Sequence, residues 1–118
     1  MQKNKKFSCY NDGIVNIYRP KESEKQTNFT ATKNVTSLDD MEYIVKLAYE
    51  EAAKREQDID FANQNDFTLS LKVKTRLFKP VDNKCMAVID GYLYSVSHID
   101  KNRSEMWLYL QGVRSLDS

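Results

Sequence analysis

Residue types that carry covalent or acid–base chemistry are sparse in this chain. It holds one histidine, His98, and two cysteines, Cys9 and Cys85. A histidine acts as a general base only with a nucleophile and an orienting group within hydrogen-bond reach. Ser95, Ser97 and Asp100 lie near His98 in the chain, but their spacing matches no triad geometry. A metal ion needs three or four convergent ligands, and Cys9, Cys85 and His98 would meet only by an accident of folding. Asp82, Asp90 and Asp100 fall in or beside expected turns, where Asp ordinarily satisfies backbone groups. There is no G-x-G-x-x-G, no phosphate-binding loop and no H-E-x-x-H. No catalytic, cofactor-binding or metal-ligating residue is therefore assigned, and the chain reads as a non-enzyme.

Three features could bind a partner instead. The first is a basic stripe, Lys72, Lys74 and Arg76, with Lys79 beyond it. It could meet phosphates, or it could be the solvated side of a strand. The second is the aromatic set Tyr92, Tyr94, Trp107 and Tyr109. Aromatics on a sheet can stack bases, and on neighbouring strands they also build a core or a subunit contact. The third is the polar stretch from Lys21 to Asn34, with Lys21, Lys25 and Lys33, a segment able to order against a partner.

Composition narrows the field. The chain has 118 residues, enough for one domain. Its 18 Lys+Arg nearly balance 17 Asp+Glu, for a net charge of +1, which argues against a generic basic nucleic-acid binder. Hydrophobic residues make up 41%, enough for a modest core and too many for a disordered chain. No apolar run approaches the ~20 residues of a membrane span. No hydrophobic stretch follows the basic start, so no signal peptide is expected. Two cysteines without a CxxC suggest free thiols in a reducing compartment.

The elements that must position these residues follow from periodicity. Residues 1–10 read as a flexible arm, 11–114 as a single domain and 115–118 as a tail. Asn11-Asp12-Gly13 is a turn, and Ile14 to Tyr18 is a strand ended by Arg19-Pro20. Lys21 to Asn34 is a long exposed loop. Met41, Tyr43, Val45, Leu47 and Tyr49 alternate as in a strand, while Met41, Ile44, Val45, Ala48 and Ala52 match a helical stripe. Local pattern leaves that choice open. Ala52 to Gln64 is expected to be a helix, with Ile59 and Ala62 facing inward and a Glu51–Arg55 pair. Phe67 to Leu77 reads as a half-buried strand, and Asp90-Gly91 as a hairpin turn between Cys85–Ile89 and Tyr92–Ser97. His98 to Ser104 is a turn region, and Glu105 to Val113 the last strand. Leu71, Val73, Val88, Val96 and Leu108 are expected inside, with Lys72, Lys74 and Arg76 outside. The fold class is mainly β: a small antiparallel β-barrel with one α-helix and a long exposed loop.

A family likeness runs from about Tyr43 to Val113. Its residues are Lys54-Arg55-Glu56, then Ala62, then the strand ending near Arg76. Val88-Ile89-Asp90-Gly91-Tyr92-Leu93-Tyr94-Ser95-Val96 follows, then Ile99-Asp100 and Met106-Trp107-Leu108-Tyr109-Leu110. In order and spacing this resembles the small head–tail adaptor proteins of tailed bacteriophages, also called head-closure or head-completion proteins. Leu47-Ala48 stands where many members carry a Trp-Ala-like pair. The resemblance implies a strand at Met41 to Tyr49 followed by a helix. It implies a structural protein at the phage or prophage neck (host cytoplasm during assembly). There a homo-oligomeric ring, typically of twelve copies, would sit beneath the portal and its adaptor. The ring would extend the channel holding packaged DNA and offer a docking surface to a tail-completion protein. Neither a membrane nor a cofactor is implied. On this reading Lys21, Lys25 and Lys33 of the loop face the channel or a neighbouring ring, and Lys72, Lys74 and Arg76 face acidic neighbours or DNA. Another neck or tail-completion protein, or an OB-like single-stranded nucleic-acid module, is the alternative.

Overall fold

A computed structural model describes residues 10–21 and 41–116. Six strands and one helix follow one another: β1 (Gly13–Pro20), β2 (Met41–Glu51), α1 (Glu56–Gln64), β3 (Leu71–Arg76), β4 (Met86–Ile89), β5 (Tyr92–Lys101) and β6 (Glu105–Ser115). β-Branched and aromatic residues alternating with polar ones drive these strands, since a pleated strand offers each face every second side chain. Val15 and Ile17 of β1, Val73 and Thr75 of β3, and Met106, Leu108 and Leu110 of β6 are all fully buried. All of these but Thr75 pack with Tyr49, Val81, Cys85, Ala87, Ile89 and Val96 into one core.

All neighbouring strands are antiparallel, and their hydrogen bonding runs in the closed order β1-β2-β3-β6-β5-β4. The expected small β-barrel needs correction in its build, because the strands are not evenly paired staves. β1–β2 and β5–β6 are long ribbons. By contrast β2 meets β3 only at Glu50↔Lys74 and Glu51↔Val73, and β1 meets β4 only from Asn16 to Tyr18. Unequal lengths cause this: β2 has 11 residues, β3 has 6 and β4 has 4. A regular barrel needs matched strands with a common stagger. The expected long loop lies outside the described residues, apart from Lys21, which is exposed.

Local differences from the sequence reading have identifiable causes. Residues 41–51 form a strand. Its alternation breaks where the register shifts between Ile17 and Tyr18, which leaves Tyr43 half exposed on the outside. The helix starts at Glu56 rather than Ala52, because Ala52 still bonds Lys72 O in the sheet and Arg55 is extended. That places Asp58 and Ala62 inside and leaves Ile59 exposed, and it takes Glu51 into a strand, away from the expected pair with Arg55. Residues 67–70 are not strand. The backbone N–H of Thr68 donates to the Gln111 side chain and that of Gly112 to Ser70 Oγ, so side chains take over from the ladder. β5 continues through His98 to Lys101, so the turn is shorter than expected. Asp90 and Gly91 have φ of 49° and 76°, the two positive values that a type I′ hairpin demands. Val88 points outward and is only half buried, since Ala87 and Ile89 take the inner positions; Leu71 is also half buried.

Candidate functional site

The densest grouping of polar chemistry lies where α1 crosses the outside of the sheet. Asp58, at the third helical position, accepts the backbone N–H of Arg55 at 2.9 Å, which ties off a helix N-terminus in the manner of an acidic N3 residue. The same carboxylate takes the Arg55 guanidinium through two contacts, at 2.9 and 3.1 Å. Its inner side meets Lys72 Nζ at 2.8 Å. Asp58 is 3% and Lys72 6% exposed, so this ion pair is buried.

Tyr109 of β6 completes the cluster. Its hydroxyl lies 2.8 Å from Asp100 Oδ2 and 3.2 Å from Asp58 Oδ1, and its ring lies 5.1 Å from Lys72 Nζ. Phe61 of α1 packs on His98 with centroids 4.6 Å apart, and His98 on Tyr109 at 5.1 Å. His98 Nε2 is 3.1 Å from Asp100 Oδ1. Register explains the meeting: His98 pairs with Tyr109 and Tyr109 with Lys72, so all three leave the sheet on one side.

Electrostatics make this cluster a clamp. The Arg55 side chain, with Lys72 beside it, holds the Asp58 carboxyl well below its usual range despite burial. Burial pushes the Tyr109 phenol upward, and the facing carboxylate of Asp100 adds to the shift. Tyr109 thus keeps its proton and donates it. The arrangement fixes α1 to β3, β5 and β6 with its charges mutually satisfied.

The basic stripe expected to face a partner is divided. Lys72 lies under the helix, because α1 covers the face that alternation assigned to solvent. Lys74 sits 3.5 Å from Glu50 and 3.8 Å from Glu105, and Glu105 also accepts the Tyr10 hydroxyl. Arg76 is exposed, with its guanidinium 5.9 Å from the Tyr10 ring. Lys79 is exposed, and Lys25 and Lys33 lie outside the described residues. The aromatic set is split as well. Tyr92 and Tyr94 contact each other at 5.1 Å, while Tyr109 is in the clamp and Trp107 stands opposite Lys74 and Asp100.

A second polar group lies near the end of β1. Arg19 donates to Pro80 O at 2.6 Å and lies 3.7 Å from Asp82. Cys85 is buried with a free thiol, and burial pushes its pKa up. Cys9 is outside the described residues. A shallow depression of ≈ 220 Å³ lies alongside, lined in part by Asp82, His98 and Lys101. Among the described residues, no three His, Cys, Asp or Glu side chains converge as a metal site, and no helix is long and apolar enough to cross a membrane.

Sequence reading missed Asp58, the hub of the clamp. One signal was present: an acid three residues after Arg55 at a helix start. No family model matches this chain. No curated protein matches it significantly.

Proposed function

We propose that the chain is a non-enzymatic structural component of a tailed-phage or prophage neck, closing the DNA-filled head beneath portal and adaptor and offering a surface to the tail. The observation that carries this reading is the layout of the β1–β2 ribbon. Pro20 pairs with Met41, so residues 21–40 leave and rejoin the sheet at a single point. A polar insertion carrying Lys25 and Lys33 and rooted on a firmly paired ribbon suits a part that reaches a neighbouring ring or the DNA channel. The clamp supports a scaffold role too, since its charged groups satisfy one another. The strand at Met41–Glu51 and the helix after it support this reading, because the resemblance implies both.

The test uses heads filled with DNA but assembled without this chain. Added protein should bind one vertex, make the packaged DNA resistant to nuclease and permit tail attachment. Nuclease-resistant heads that take tails in its absence would overturn the reading. A variant shortened between Lys21 and Asn34 should keep its melting transition, because loop length costs little closure entropy, yet fail to close heads.

A further inference from the structure

Over most of its length β2 is paired on one edge only. β1 follows it from Met41 to Tyr49, whereas β3 meets it only at Glu50 and Glu51. Among the described residues, the edge of β2 from Met41 to Tyr49 that faces away from β1 therefore has no partner strand. The gap reaches the core. Val45 lies opposite Ile17 and Leu47 opposite Val15, so all four belong to one inner layer. Val15 and Ile17 are fully buried, yet Val45 and Leu47 are only half-buried, because no described strand stands beside them on the open side. An unpaired edge beside uncovered core is a feature that folds ordinarily cover.

The start of the described chain leads to this gap. The Asp12 N–H donates to Tyr49 O at 2.9 Å, on the flank of β2 that β1 occupies, and the Asp12 carboxylate accepts the Glu51 N–H at 2.7 Å. Two residues earlier, Tyr10 reaches the other flank, with its hydroxyl on Glu105 of β6 and its ring by Arg76 of β3. Tyr10 has φ of 49°, a left-handed value that turns the chain. Residues 10–12 thus cross the end of β2 and deliver the preceding residues to the closed end of the gap. Glu50 Oε1, buried there, accepts no hydrogen bond among the described residues, with Lys74 Nζ 3.5 Å away. Glu42 and Glu51, near the two ends of β2, are exposed and form no ion pair among the described residues.

Residues 1–9, expected as a flexible arm, lie outside the described residues. Nine extended residues span about 30 Å, the length of the edge from Tyr49 back to Met41. In an extended chain Phe7 and Cys9 share one face and Lys6 and Ser8 the other, and Lys3 and Lys5 add positive charge. We propose that residues 1–9 pair with the free edge of β2 as an added strand of the same molecule. The segment enters beside Glu50 and extends back toward Met41, so it runs parallel to β2. Its backbone completes the missing ladder, Phe7 and Cys9 cover the half-buried Leu47 and Val45, and its lysines meet the acidic residues along β2. The pairing belongs to the single chain and is independent of any assembly.

The experiment is amide hydrogen exchange of the full chain, read by NMR. In an antiparallel pair every second residue turns its N–H away from its partner strand. Alternate β2 amides between residues 41 and 49 therefore report the free edge, and the others report the β1 ladder. In the wild type both sets should be protected, equally at low and high protein concentration. Phe7→Ser should speed exchange of the edge set roughly tenfold or more, and removal of residues 1–9 should abolish its protection. The amides paired between β3 and β6 should stay protected in Phe7→Ser, which shows that the fold is intact. Edge amides that exchange freely in the wild type overturn the proposal. So does edge protection that survives both changes, and so does protection that appears only as concentration rises, which assigns the edge to a second copy.

Discussion

Replacing Asp58 by alanine tests the clamp most directly. The substitution leaves the Lys72 ammonium, whose side chain is 7% exposed, beneath α1 with the Tyr109 ring beside it. Removing one partner of a buried ion pair typically costs about 3–5 kcal/mol, because the remaining charge is stranded away from water. Arg55, 57% exposed at its side chain, adds little to that figure, and Tyr109 keeps its bond to Asp100. The expected loss is therefore ~3–5 kcal/mol of the roughly 5–15 kcal/mol typical of a domain. Lys72→Met should cost less, since Asp58 retains Arg55 and Tyr109, and the double variant should be non-additive by ~1 kcal/mol or more. Urea unfolding read by circular dichroism and Trp107 fluorescence supplies the numbers. The pH dependence has a defined sign. The folded-state pKa of Asp58 lies below its ordinary 3.8, so its contribution is fully present above that value and fades as pH falls toward the folded one. The gap between wild type and Asp58→Ala should narrow on acidification below about pH 4. A loss under ~1 kcal/mol at neutral pH, or a gap unchanged in acid, would refute the argument.

Other expectations follow from individual residues. Leu108→Ala should cost about 2–5 kcal/mol and half-buried Leu71→Ala clearly less, compared by urea midpoints. Gly91→Ala should lose ~1 kcal/mol in the same assay, because Gly91 has φ of 76°. Cys85, buried with a raised pKa, should react with a thiol reagent only slowly in the native protein and rapidly in urea. The Tyr109 phenol, also raised, stabilises the fold below the ordinary tyrosine value of 10.0, and that stability is lost as pH rises toward the folded value. Alkaline titration followed by phenolate absorbance should show fewer tyrosines ionising near the ordinary value than in unfolded protein, and Tyr109→Phe should narrow that difference without removing it, because burial also raises Tyr49 and Tyr94.

Strand identity was legible in β6 and around the β4–β5 hairpin, but not over Met41–Glu51, where a helical stripe fitted the same residues. The alternation of Met106, Leu108 and Leu110 against Trp107 and Tyr109 specified the inner face of β6, and Asp90-Gly91 specified the turn between β4 and β5, because pleat geometry and positive φ act within a few residues. The ends of β3 and of α1 were not legible, because partners distant in the chain decide them: Gln111 captures Thr68, and Lys72 O captures Ala52. Lys72 illustrates the division most sharply. Sequence by itself determined that it stands on the face opposite Val73. Only the tertiary structure decided that this face is dry, because a short helix arriving from between β2 and β3 lays Asp58 across it. Alternation reports which side a residue takes. What covers that side depends on where a separate element docks, and that is settled by long-range packing and charge pairing.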